Sequence, residues 1–142
     1  RDRNPTISVL WKIANGYKVS FTSLVENPGE AVAVLRREAM PPLEEDGGRY
    51  VNYPVFPFSE RTLFETYRIE IHPGGHLEAQ PHLKGAEEYV TVFTGQAEIT
   101  VDGKAVALDR GDSIRFRADV PHGYRCLGQE TAELSMLIFY GK

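Results

Sequence analysis

Apolar positions along this chain recur with two periods, one near its start and another over the remainder. Within residues 4–26 the period is helical. Ile7, Leu10, Trp11 and Ala14 fall at i, i+3, i+4 and i+7 and make one apolar stripe. Asn4 followed by Pro5 is a start signal: an N-cap side chain, then a residue whose fixed φ suits the first helical position. Asn15-Gly16 stops that helix, and Ser20 caps a second one, Phe21 to Val25, which Asn27-Pro28-Gly29 ends. Two helices this short cannot bury the stripe between themselves. They are either a cap packed on the rest of the chain or the tail of a small helical domain.

From Ala31 onward the pattern is that of strands. The run AVAVLRREAM over 31–40 is rich in β-branched residues, and a Pro- and acid-rich loop, PPLEEDGG, follows it. Strands are then predicted over 49–56, 63–71, 89–93, 96–101, 104–108, 113–116, 123–127 and 131–140. His72-Pro73-Gly74-Gly75 ends the second of these, Thr94-Gly95 reads as a hairpin, and Asp102-Gly103 is the strongest hairpin signal in the chain. Strands this short, punctuated every 8 to 12 residues or so, predict an all-β sandwich or barrel.

Composition narrows the function. At 142 residues the chain is one domain plus a little, with apolar residues enough for a core. A formal net charge of -4 argues against a surface built to coat nucleic acid or anionic lipid. The single cysteine, Cys126, cannot form an internal disulfide, which fits a reducing, cytoplasmic setting. No run approaches the apolar length of a membrane span, and no signal peptide is visible. The chain opens on Arg1 and not on Met, just before a helix, so it reads as a piece of a longer protein. No P-loop, dinucleotide fingerprint, Ser-His-Asp order or basic recognition helix is present.

Strand parity picks out the chemistry. Glu88 shares a face with Val90 and Val92, and His122 with Tyr124 and Cys126. An apolar face points inward, and a carboxylate carried in with it must be neutralised, paired or bound to a cation. Two imidazoles and a carboxylate suit a first-row divalent ion such as Zn, Fe, Mn or Ni. Glu65 and Tyr67 share a face with Ile69 and Ile71 and are candidates for a pocket wall; Glu65 would there meet a ligand amine, or else make a surface ion pair. His76, on the Gly-rich loop, reaches the mouth or faces solvent. His72 is a strand end, Arg115 points outward, Cys126 is a small core residue, and Glu44-Glu45-Asp46 is a solvated loop.

The stretch Gln80–Gly95, QPHLKGAEEYVTVFTG, resembles the first cupin motif, with His82 as its first His, Glu88 as its Glu and Gly95 as its Gly. Gly111 through Cys126 resembles the second motif, with His122 at the metal-ligand position. The resemblance covers roughly residues 31–142 and implies a double-stranded β-helix, or jelly-roll barrel. It implies a divalent metal, Zn first, on His82, Glu88 and His122. The chain departs from the pattern at Lys84, which replaces the second His of the pair, and at Arg117, Asp119 and Cys126, where Pro, Gly and Asn are usual. Lys84 removes one of four ligands; its ammonium would disfavour a cation or stand in for one. The effector pocket so implied holds Glu65, Tyr67, His76, Lys84 and Tyr124.

RNPTISVLWKIANGYKVSFTSLV resembles the end of the DNA-binding domain in XRE-type (λ-repressor-like) helix-turn-helix regulators, through Asn4-Pro5-Thr6, Leu10 to Ala14, Gly16 and Val19-Ser20-Phe21. That resemblance implies a regulator: residues 1–29 the tail of a DNA-binding domain plus linker, and 30–142 a cupin effector-binding domain. No residue here is assigned to DNA contact, since the helix-turn-helix pair makes those contacts. The implied partners are a DNA operator for the longer protein, a small-molecule effector such as an amino acid or related metabolite, and a second copy in a homodimer. The alternatives are a metal-dependent cupin enzyme, a dioxygenase or isomerase with His76 or Tyr67 as acid or base, and a ligand-free cupin that serves dimerisation.

Overall fold

The computed structural model describes residues 31–39 and 41–141. The two helices read over residues 4–26 lie outside the described residues. Among the described residues ten strands form two antiparallel sheets: β1 Leu43–Glu45, β2 Tyr50–Pro54, β3 Phe64–Ile71, β4 His76–Ala79, β5 Glu87–Thr94, β6 Gln96–Val101, β7 Lys104–Leu108, β8 Ser113–Arg117, β9 His122–Leu127 and β10 Ala132–Phe139. The larger sheet has the order β1-β2-β3-β10-β5-β8 and the smaller one β4-β9-β6-β7.

The pairings are nested. β6 pairs β7, β5 pairs β8, β4 pairs β9 and β3 pairs β10. The chain from β3 to β10 is thus one long hairpin, wound into a barrel, whose tip is Asp102-Gly103. Both tip residues have positive φ, 50° and 86°, as the tight turn matching strand twist requires. This winding is the jelly-roll architecture that the two motifs imply.

Alternation places the core. Along β3, FETYRIEI, every second residue is buried, and Ile69 and Ile71 are fully so. Val90, Val92, Ile99 and Leu134 close on them from the other strands. Burying a side chain of this size contributes roughly 1.5–3 kcal/mol.

Four expectations are corrected. Thr94-Gly95 is not a hairpin: β5 and β6 belong to different sheets, and the link between them is a corner. Gly95 has φ 73°, and a Cβ there would stand 2.7 Å from the Thr131 carbonyl oxygen. The run from Ala31 forms no strand within 31–39; Val32 and Val34 lie exposed, because strand propensity expresses itself only against a neighbouring strand. The PPLEEDGG loop contains β1 and a 3-10 turn, Asp46–Gly48, so Glu44-Glu45-Asp46 is more than solvated loop. Glu45 pairs Tyr50, and the Asp46 carboxylate takes the Arg49 guanidinium and the His76 N–H. Finally, His76 opens a strand, β4, where a loop was expected.

Candidate metal centre

The strand register lays out one row of inward side chains. Glu65 on β3 lies opposite Ile138 on β10, Ile138 opposite Glu88 on β5, and Glu88 opposite Phe116 on β8. All four are buried. With about 4.8 Å between neighbouring strands, the two carboxylates hang from backbones about 10 Å apart on the same wall.

Two histidines arrive at Glu88 from outside that sheet. His122 is the first residue of β9, and alternation turns it inward with Tyr124 and Cys126. His82 sits in the loop ahead of β5, where its N–H donates to the Ala118 carbonyl at 2.8 Å. His82 Nε2 lies 2.9 Å from Glu88 Oε2 and His122 Nε2 3.1 Å from the same oxygen. The Tyr124 hydroxyl donates to both oxygens of Glu88, at 2.8 and 2.9 Å. One ligand atom from each of His82, Glu88 and His122 lies within 4.8 Å of the others.

The electrostatics follow from burial against pairing. Burial pushes the Glu88 carboxyl up, but the His122 and His82 imidazoles outweigh it and hold it at about 2. Burial pulls His122 down; Glu88 and the Val120 carbonyl more than reverse that, and its pKa is raised. Burial likewise raises Glu65, against the hydroxyls of Tyr140 and Tyr67 that favour its ionised form. Burial and the Glu88 charge drive the Tyr124 phenol far above its usual range, so it stays a donor.

One detail tests whether a cation suits the site. His122 Nδ1 lies 2.7 Å from the Val120 carbonyl, an acceptor only, so Nδ1 carries a hydrogen. In the neutral ring Nε2 then presents a buried lone pair 3.1 Å from a carboxylate oxygen. Two electron-rich atoms that close repel unless a proton or a cation lies between them. Orienting one ring nitrogen through the other is the usual second-shell device of metal-binding histidines. The donor set of two imidazoles and one carboxylate fits a first-row divalent ion.

Of the residues singled out in the sequence, His82, Glu88, His122 and Tyr124 are brought into direct contact. Glu65 and Tyr67 face the same interior, where the Tyr67 hydroxyl donates to Glu65 Oε1 at 2.5 Å. Two others are corrections. His76 is exposed and pairs Arg125 across the strands, because Leu77 and Ala79 take the inward positions of β4. Lys84 is exposed as well, in the turn closed by the Ala86 N–H on the Leu83 carbonyl. Arg115 points outward toward Glu87, and Cys126 is buried. His72 follows the end of β3, with Nδ1 3.0 Å from the Thr131 hydroxyl. Two residues went unnoticed in the sequence. The Tyr140 hydroxyl hydrogen-bonds Glu65 Oε2, and its ring lies 6.2 Å from that of His82. Tyr50 lies 6.0 Å from Tyr124. Parity with Ile138 would have found Tyr140.

Residues 67–139 match the cupin domain family. The chain is 34% identical over 142 residues to the HTH-type transcriptional regulator SutR of Escherichia coli (strain K12), spanning 98% of this chain and 74% of that protein. It is 31% identical over 108 residues to the quercetin 2,3-dioxygenase of Bacillus subtilis (strain 168), covering 71% of this chain and 32% of the enzyme. The crystal structure of the Cupin_2 domain of an XRE family transcriptional regulator from Enterobacter cloacae superposes with a TM-score of 0.63 at 33% identity, over 66% of this chain and 99% of that one.

Proposed function

The chain belongs to the cupin family and to the helix-turn-helix transcriptional regulators that carry a cupin domain, and from that membership we propose that its barrel is a sensor. In this reading His82, Glu88 and His122 hold a divalent ion, Zn first, and the remaining coordination positions face a small effector. The bound ion would supply a Lewis-acidic charge for an effector's donor atom. The protein's own groups do the rest: Val120 and Tyr124 fix the orientation of His122 and Glu88, while Glu65 and Tyr67 offer a second polar contact on the same wall. The effector in this reading is an amino acid or related metabolite.

Residues 1–29 are, in the same reading, the tail of the DNA-binding domain with its linker, and 30–142 the sensing domain. A DNA operator is the partner, met in the cytoplasm by a homodimer, since operators of this class are paired half-sites. An effector acts by binding one arrangement of the dimer better than another.

The observation that carries the reading is the convergence of His82, Glu88 and His122 inside the barrel, with one ligand atom from each within 4.8 Å of the others. The test is metal content of purified protein and of His122→Ala, joined to operator binding, by fluorescence anisotropy with and without chelator, of the longer protein that carries the helix-turn-helix pair. Stoichiometric metal in the native protein, lost in the variant, together with operator affinity that changes on chelation, supports the sensor. Negligible metal in both proteins removes the ion. A metabolite screen should find a compound that raises thermal stability by mass action; a screen in which nothing does so favours a barrel that serves dimerisation alone.

A second reading keeps the metal and makes the barrel an enzyme, a dioxygenase or isomerase. The similarity to quercetin 2,3-dioxygenase favours it. Tyr67 would be its acid or base, but that hydroxyl is engaged with Glu65 and its pKa is driven up, first by burial and then by the Glu65 charge, which suits a donor and not a base. Oxygen uptake by the iron-loaded protein with flavonol-type substrates would decide for the enzyme.

A further inference from the structure

The connection between β8 and β9 touches the His82 loop through Ala118 and Asp119. Ala118 accepts from the His82 N–H and donates to the Ala86 carbonyl, both at 2.8 Å. Asp119 Oδ2 accepts from the Gly85 N–H at 2.8 Å and from the Arg117 guanidinium at 3.0 Å. The Val120 carbonyl holds the His122 ring, and the Pro121 carbonyl takes the Asp102 N–H at 2.8 Å. The loop that delivers His82 and the segment that delivers His122 are therefore one unit, tied across the barrel mouth.

Asp119 ties the two segments through its side chain. It is 6% exposed although its partner Arg117 is 68% exposed, so the carboxylate lies under the loop while the guanidinium covers it from solvent. Arg117 and Asp119 are two of the positions at which the chain departs from the cupin pattern, and the turn they hold contains a third, Lys84. The turn needs a residue with φ of 86° at Gly85 to aim its N–H at the carboxylate.

We propose that Arg117 and Asp119 are positioning residues that latch the Leu83–Ala86 turn onto the β8–β9 connection, so that His82 reaches Glu88 already aligned with His122. A centre with three protein ligands depends on the placement of each one more than a centre with four does. The latched turn carries Lys84, which is exposed. It rests on the proposed metal centre only for its consequence; the alignment itself is a property of the protein alone.

The test uses Asp119→Ala, Asp119→Asn and Arg117→Ala. Asparagine keeps an oxygen for the Gly85 N–H, whereas alanine does not. Loss of one hydrogen bond to a charged acceptor should speed exchange of the Gly85 amide by about tenfold in Asp119→Ala. The alanine variant should also weaken binding of Zn, measured by chelator competition, by about tenfold, the lower end of what second-shell losses cost. Asp119→Asn should recover most of both effects, which a role in bulk stability alone would not produce. Arg117→Ala, wholly at the surface, gives a smaller change in the same direction and serves if Asp119→Ala does not fold. Unchanged Gly85 exchange in Asp119→Ala, or an asparagine variant as impaired as the alanine one, overturns the latch. If the native protein takes no Zn, the metal centre falls while the latch is judged on Gly85 exchange and the His82 ring nitrogen shifts, which must move in Asp119→Ala.

Discussion

Replacing Glu88 by Gln isolates the charge at the centre of the barrel. Gln has the shape of the protonated acid and can still accept from the Tyr124 hydroxyl, which lies 2.8 Å from Oε1. What it loses is the attraction of His82 and His122 for a full negative charge. The folded carboxyl is held at about 2 against an ordinary 4.5. At about 1.4 kcal/mol per pH unit, that difference corresponds to about 3 kcal/mol in favour of the folded state. Because the folded pKa is depressed, this stability is fully present above 4.5 and drains away as pH falls toward 2. The raised pKa of His122 sets the opposite limit: its share is full below 6.5 and fades as pH rises through the folded value. Both limits describe one interaction, so it is counted once, and about pH 6 lies where it is whole. Urea unfolding of chelator-treated protein should therefore show Glu88→Gln less stable by about 3 kcal/mol at about pH 6. Near pH 3 the deficit should shrink to about half. A deficit of equal size at both pH values, or a variant as stable as the native protein at about pH 6, would refute the assignment of a charged Glu88 between two imidazoles.

Two further predictions address the fold. Gly95→Ala should destabilise by roughly 1–3 kcal/mol, since the corner combines positive φ with a Cβ 2.7 Å from the Thr131 oxygen; an unshifted urea midpoint would mean that the corner relaxes freely. Ile69→Ala, in a fully buried position, should cost about 2–5 kcal/mol, whereas Val34→Ser, 59% exposed, should stay within about 0.5 kcal/mol; a large loss at Val34 would show that the 31–36 segment is covered in solution.

Much of the barrel was legible because period-2 alternation is a local signal. Strands over 96–101 and 104–108 were read to the residue, and β3 and β10 to within a residue at each end. The long-range arrangement was not local. Thr94-Gly95 has the look of a hairpin, and only the nested pairing of β5 with β8 and of β6 with β7 shows that the chain changes sheets there. Likewise residues 31–36 have the composition of a strand, but no ladder forms there in the described chain. Composition reports what a segment favours, whereas a strand also needs a neighbour.

The same distinction explains the site. Glu65, Tyr67, Glu88, His122 and Tyr124 all lie on strands, and alternation alone turned each of them inward. The Pro73-Gly74-Gly75 run suggests a loop, which leaves His76 between the mouth and solvent. Read as a strand, the polar-apolar order of His76, Leu77, Glu78 and Ala79 would have put the imidazole outside. Lys84 lies in a turn, where no parity exists, and its direction depends on Gly85, Asp119 and Ala118 acting together across more than thirty residues of chain. That direction settles the local charge. An ammonium in the barrel mouth would have occupied the position of a cation beside Glu88; turned to solvent, it leaves the carboxylate to the two imidazoles. The replacement of the second motif histidine by Lys84 thus costs the centre one ligand without placing a positive charge where that ligand would have been.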